Sequence, residues 1–270
     1  MIWLKFVLCL VIVLFAGTKL AQYGDVIAEK AGLGRIWIGL VLIAVITTMP
    51  ELVTSVSSVA LVPLVHGEDP GHLADLALGI LLGSCCFNLS ILALLDILHS
   101  RTPVLSVASP RHVITAGWGT LLIAIAAAGI IAGGRFPFLA LGRVGIPTIV
   151  ILILYLLGTW WMFRRERKQR LHAPPTTPPQ YEKFTTRTVY IRFALAAAAV
   201  IAAGIWLSFI GDEISEATGW SGTFVGTLFL AITTSAPELV VAITALRMGA
   251  VDLAVADILG ANMLLSLIHI

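Results

Sequence analysis

The 270 residues are 59% hydrophobic and only 12% charged, with a mean hydropathy of +0.99, whereas soluble domains are about a quarter charged, which sets a soluble enzyme aside. Seventeen basic against 15 acidic residues leave a net charge of +2, too small and too localised for a nucleic-acid binder. Cys9, Cys85 and Cys86 lie inside apolar stretches, so neither a disulfide framework, a zinc site nor redox chemistry is indicated.

Apolar stretches long enough to cross a hydrocarbon core of about 30 Å recur along the chain. Eight are expected, over residues 2–18, 36–65, 73–98, 113–133, 144–163, 189–210, 222–246 and 251–270. The first lacks a basic leader and a small-residue cleavage site, and reads as a retained helix. The fold class is therefore all-α, a multi-pass protein whose partner is the lipid bilayer. Oligomeric state is left open.

The polar gap from Arg164 to Arg192 carries Arg164, Arg165, Arg167, Lys168, Arg170, Lys183, Arg187 and Arg192 around Pro174, Pro175, Pro178 and Pro179. It reads as a mobile cytoplasmic linker, denied a regular helix by its prolines. Placing it inside puts Lys19, Lys30, Arg35, Arg101, Arg111 and Arg247 on the same side, 14 of the 17 basic residues. Lys5, Arg135 and Arg143 stay outside, and the N-terminus is expected external. The domains are then 1–163, a linker at 164–188, and 189–270.

A shift of 187 positions aligns Gly24-Asp25 with Gly211-Asp212, Ala44 with Ala231, Thr47 with Thr234, and Pro50-Glu51-Leu52-Val53 with Pro237-Glu238-Leu239-Val240. A shift of 177 aligns Asp75-Leu76-Ala77 with Asp252-Leu253-Ala254 and Leu82-Gly83 with Leu259-Gly260. An odd number of spans separates equivalent helices, so the duplicated halves are inverted. That arrangement belongs to secondary transporters, whose site lies at the midplane.

Both copies set a proline and a glutamate inside an apolar span, as Thr47-Thr48-Met49-Pro50-Glu51 and Thr234-Ser235-Ala236-Pro237-Glu238. Proline donates no backbone hydrogen bond, so a helix broken at Pro50 and Pro237 is expected to free the carbonyls of Ile46 and Thr233, with Ala44 and Ala231 near them. A carboxylate at bilayer depth costs about 3 kcal/mol or more unless it is paired or wet. No basic residue is available in these spans, which leaves a bound cation or protons as the partner. Carboxylates, hydroxyls and carbonyls suit hard cations, Ca²⁺ above all and Na⁺ also.

The third and eighth spans share a glycine-bearing element, Gly79 to Asn88 and Ala256 to Met263. Ser84 and Asn88, at i and i+4, occupy one face and are further candidate ligands. Asp257 is a third intramembrane carboxylate, with Ile80 at its place in the first copy; coordination, proton relay and a helix–helix hydrogen bond are all open to it.

The paired Pro-Glu motifs, their inversion and the Gly-Ser-x-x-Phe-Asn element resemble the alpha repeats of the cation/calcium exchanger superfamily, the sodium/calcium exchangers in particular. The resemblance implies ten helices in two inverted five-helix halves, about eight of them present here. It implies Ca²⁺/Na⁺ exchange by alternating access, the long first and sixth helices sliding across the core, with no cofactor and no enzymatic activity. Glu51 and Glu238 would be shared ligands of Ca²⁺ and Na⁺. Thr47, Thr48, Thr234 and Ser235 would add side-chain oxygens, Ala44 and Ala231 carbonyls, and Ser84 and Asn88 third-span ligands. The family pattern has Asn at Cys85 and at Asp257 and Ser at Thr48, and a polar residue at Leu265, which leaves the site one ligand short. The chain stops inside its eighth span, so two helices are expected to be missing and residues 265–270 to be a foreign tail. Coupling to protons, an intramembrane carboxylate enzyme and a passive channel subunit are the competing expectations.

Overall fold

The computed structural model describes residues 1–30, 38–62, 64, 70–99, 102–133, 140–141, 144–170, 185–247 and 249–268. The first half holds α1 (Ile2–Lys30), a π-helical segment Ile38–Ile43, α2 (Ala44–Thr47), α3 (Met49–Ala60), α4 (Pro70–Leu98), α5 (Val104–Val107), α6 (His112–Gly133) and α7 (Ile146–Arg170). The second half holds α8 (Thr186–Thr218), α9 (Gly222–Val225), a π-helical segment Gly226–Leu230, α10 (Ala231–Thr234), α11 (Ala236–Arg247), α12 (Val251–Leu265) and a 3₁₀ turn Ser266–Ile268. Strands β1 (Ala140–Leu141) and β2 (Val144–Gly145) form a two-residue antiparallel ribbon, with Ala140 opposite Gly145 and Leu141 opposite Val144. It is too short to alter the all-helical class.

Polarity is inverted relative to a water-soluble protein. Leu4, Phe15, Ile97, Val113, Ile131 and Leu195 face outward, while Thr47, Thr48, Glu51, Ser84, Asn88, Glu238 and Asp257 are fully buried. Apolar side chains left on the outside are stable only against lipid. Helices Ile2–Lys19, Leu73–Leu98, His112–Ile131, Ile146–Arg165 and Thr186–Thr218 are each long and apolar enough to cross a membrane, and so is the pair Gly222–Thr234 and Ala236–Arg247 taken together, bent by 41° at its break.

The remaining two expected spans differ in form. The stretch at 36–65 is a chain of short pieces over Ile38–Ala60, its ends 36, 37 and 65 lying outside the described residues. The stretch at 251–270 is a helix of 15 residues followed by a 3₁₀ turn, a rise of only about 23 Å at 1.5 Å per residue. The linker expected over 164–188 is also shorter than its polarity indicated. Arg164–Arg170 continue α7 and Thr186 opens α8, because Arg, Glu, Lys and Gln are good helix formers whatever their charge. The four prolines lie outside the described residues.

Equivalent helices α1 and α8 lie side by side along one flank, and α3 packs on α8. The halves then interlock: α4 of the first packs on the π segment and α10 of the second, and α12 of the second packs on the π segment and α2 of the first. Lys5 on α1 reaches Glu213 on α8 at 2.7 Å, both about a third or more exposed. Exposed pairs contribute little, so Lys5→Ala is expected to cost less than about 1 kcal/mol in thermal unfolding of the detergent-solubilised protein.

Candidate cation site

In each half a π segment runs into a single α turn that stops one residue after a threonine. Thr48 and Ser235 are the break residues, with φ −80°, ψ −2° and φ −83°, ψ 5°. The breaks therefore fall two residues before Pro50 and Pro237, and the prolines sit inside the first turn of α3 and α11. Proline is tolerated there because the N–H it lacks would have no intrahelical partner. The new helices begin with Glu51 and Glu238 in their first turns, where the helix dipole favours negative charge.

Close approach brings the breaks together. A Cβ on Gly83 would stand 2.7 Å from the Thr227 carbonyl oxygen and 2.8 Å from Ala231 Cβ. A Cβ on Gly260 would collide with the Leu40 carbonyl oxygen and stand 2.9 Å from Ala44 Cβ. Gly83 and Gly260 are equivalent, as are Thr227 and Leu40, and Ala231 and Ala44, so one contact is made twice. Only glycine lets α4 and α12 press on the π segments this closely.

All eleven expected site residues, Ala44, Thr47, Thr48, Glu51, Ser84, Asn88, Ala231, Thr234, Ser235, Glu238 and Asp257, are 0% exposed. Ser235 donates its hydroxyl hydrogen to Glu51 Oε1 at 2.7 Å, and Thr48 donates to Glu238 Oε1 at 3.3 Å. Each glutamate is thus held by the break residue of the opposite half. Thr47 and Thr234 are alike too, each donating to carbonyls four and three residues earlier, Ile43 and Ala44 in one half and Leu230 and Ala231 in the other. Thr47 also lies 3.4 Å from Asp257 Oδ1.

The Ala44 and Ala231 carbonyls accept the Thr48 and Ser235 amides, each at 2.9 Å. Each also accepts from its neighbouring threonine hydroxyl, so a cation there would compete with Thr47 or Thr234 rather than find an idle oxygen. Glu51 Oε2, Glu238 Oε2, Asp257 Oδ2, Ser84 Oγ and Asn88 Oδ1 are buried without a hydrogen-bond partner. None of the three carboxylates has a basic side chain beside it among the described residues. An isolated buried carboxylate costs several kcal/mol, so these oxygens call for protons or cations. No three His, Cys, Asp or Glu side chains among the described residues converge tightly enough to hold a metal alone. Hydroxyl and amide oxygens must complete any sphere.

One site residue escapes the sequence reading. Asn262 on α12, 6% exposed, accepts from Asn88 Nδ2 at 3.0 Å and donates to the Cys85 carbonyl at 3.5 Å. Its counterpart in the first half is Cys85, so the repeat gives no polar pair to flag it.

The sequence matches the family described as sodium/calcium exchanger protein over residues 1–164 and 188–270. The inner membrane protein YrbG of Escherichia coli (strain K12) is 24% identical over 256 residues, 94% of this chain and 73% of YrbG. The H⁺/Ca²⁺ exchanger CAX shares the fold at a TM-score of 0.73 and 15% identity, covering 99% of this chain and 66% of CAX. The sodium-calcium exchanger NCX_Mj, soaked with 10 mM Na⁺ and zero Ca²⁺, shares it at 0.58 and 19% identity, covering 100% of this chain and 83% of that one. This chain spans about two thirds of the length of CAX.

Proposed function

We propose, from the premise that this chain belongs to the sodium/calcium exchanger protein family, that it is a secondary active transporter exchanging Ca²⁺ for Na⁺ by alternating access. The observation that carries the reading is the set of three fully buried carboxylates, each keeping an oxygen without a hydrogen-bond partner. Glu51 and Glu238 together balance one Ca²⁺, and the same oxygens, with Thr48, Ser235, Ser84 and Asn88, suit Na⁺ when Ca²⁺ leaves. Thr47, Thr234 and the Ala44 and Ala231 carbonyls edge the cluster. The first repeat, 1–163, and the second, 189–270, would each supply one glutamate. The basic segment between them would face the cytoplasm, in a plasma (cell inner) membrane, with the N-terminus outside. The 14-of-17 basic asymmetry supports that orientation, and the inner-membrane placing of YrbG supports the compartment.

A proton-coupled exchange is the second reading, and Asp257 favours it. This carboxylate faces Thr47 in one half only, since Ile80 stands at its counterpart. With Glu51 and Glu238 balanced by Ca²⁺, Asp257 demands one more positive charge, and a proton supplies it without a coordination shell.

The test is ⁴⁵Ca²⁺ uptake into proteoliposomes under an outward Na⁺ gradient, set beside uptake under a pH gradient without Na⁺. Uptake that requires Na⁺ supports the first reading; uptake that follows pH alone moves the assignment to protons. Asp257→Asn is expected to leave Na⁺-driven uptake within about threefold of wild type if Asp257 only carries a proton, and to flatten its dependence on pH.

A further inference from the structure

The asymmetry between the two halves is concentrated on α4 and α12. On α4 the wall presents Ser84 and Asn88; at the equivalent places on α12 stand Ala261 and Leu265. Leu265 is buried against Leu81 and Cys85. Asn88 is therefore a polar group on one wall without a mirror image, and its orientation must be fixed from outside the repeat.

The fixing group is Asn262. Asn262 Nδ2 points to the Cys85 carbonyl and Asn262 Oδ1 to Asn88 Nδ2. The far end of this relay sets its direction, because a carbonyl only accepts. Asn262 must turn its NH₂ toward Cys85 and its oxygen toward Asn88. Asn88 must then present its own NH₂ to Asn262, which leaves Asn88 Oδ1, buried and unpartnered, as the open end. Reversed, the same side chain would offer two N–H hydrogens to a cation and repel it.

We infer that Asn262 is a positioning residue for the exchange reaction: it holds the Asn88 amide oxygen-outward, as a ligand for the transported cation. The inference rests on the cation-exchange reading above and adds to it a residue outside the expected ligand set. Partners that orient a metal ligand without touching the metal are worth about 10–100-fold in affinity. Asn262 acts across the two halves, from α12 onto α4, so it also ties the site's geometry to the seating of α12.

The test is a double-mutant cycle on the purified full chain, read by equilibrium ⁴⁵Ca²⁺ binding and by turnover in proteoliposomes. Asn262→Ala and the near-isosteric Asn262→Leu are each expected to weaken half-saturation by about 10–100-fold, with maximal turnover within about twofold of wild type. In an Asn88→Ala background the same changes are expected to have less than about a twofold effect, because the group they orient is gone. The pair of Asn262 variants separates loss of the relay from loss of packing. Equal weakening with and without Asn88, or a fall in turnover at unchanged half-saturation, would overturn the inference. If wild type binds ⁴⁵Ca²⁺ and Glu51→Gln weakens that binding, such a result sinks the Asn262 role alone. If wild type retains no ⁴⁵Ca²⁺, the exchange reading falls and the inference falls with it.

Discussion

Glu51→Gln and Glu238→Gln are each expected to weaken Ca²⁺ half-saturation by more than about 100-fold, since even an indirect partner of a metal ligand is worth 10–100-fold. The two effects should match closely, because each carboxylate has the same situation: 0% exposed, one oxygen bonded to a hydroxyl of the other half, one oxygen open. The same substitutions should raise the thermal stability of the cation-free protein. Glutamine removes a buried group that otherwise needs a proton or a cation, and unpaired buried charge costs several kcal/mol. Added Ca²⁺ should then reverse the order. A ligand at 100 times its dissociation constant stabilises the wild type by about 2.7 kcal/mol, and the variants should gain almost none of it. Parallel melting curves with and without Ca²⁺ check both halves of the expectation. A variant that is both less stable without Ca²⁺ and equally stabilised by it would mean that these glutamates serve packing alone.

Gly83→Ala and Gly260→Ala are expected to be among the most damaging small substitutions, beside Gly79→Ala and Gly226→Ala, whose added Cβ would also meet backbone. An added methyl group at either position meets backbone atoms, the Thr227 or the Leu40 carbonyl oxygen, rather than the yielding end of a side chain. Relief requires a helix to move away from its π segment, and overpacking of this kind costs about 1–3 kcal/mol, with these contacts at the upper end. Because the shifted element carries Ser84 and Asn88 in one case and Asp257 in the other, transport should fall together with stability. Gly117 supplies the control. A Cβ there would meet nothing within 4 Å, so Gly117→Ala should be neutral or stabilise by up to about 1 kcal/mol through helix propensity. Melting temperatures of the four proteins in one detergent decide the matter, and a Gly260→Ala protein as stable as Gly117→Ala would contradict the close-contact account.

Much of this architecture could be read from the residues, and for physical reasons. Lipid imposes long apolar runs and forbids unexplained charge, so Glu51, Glu238 and Asp257 stood out against their surroundings, and the duplication doubled the signal. The position of the helix breaks was less legible. Proline marks where a hydrogen bond is missing, yet Pro50 and Pro237 start helices rather than end them, and the chain turns at Thr48 and Ser235 instead. The π segments Ile38–Ile43 and Gly226–Leu230 were not read from the sequence, because an apolar run does not distinguish a π turn from an α turn. Asn262 was hidden for a different reason. Its role depends on a contact between halves, and its counterpart is a cysteine, so repetition within the chain did not point to it; the signal that could have found it is the Asn that the resembled family carries at Cys85. The extent of α7 was misjudged because the prolines at 174–179 were taken to deny helix to the whole segment from Arg164, whereas the helix runs on to Arg170.

The crossed bonds from Ser235 to Glu51 and from Thr48 to Glu238 also constrain how such a gene can change. A substitution at a break residue is felt by the carboxylate encoded in the other half, so the two halves cannot drift apart at these four codons independently. Where the bonding is not reciprocal, the halves have diverged: Ser84 against Ala261, Asn88 against Leu265, Ile80 against Asp257. Two halves bound by an exchanged handshake at the centre can thus stay alike where they grip each other while becoming specialised one helix away, which turns a symmetric duplication into a site with two different sides.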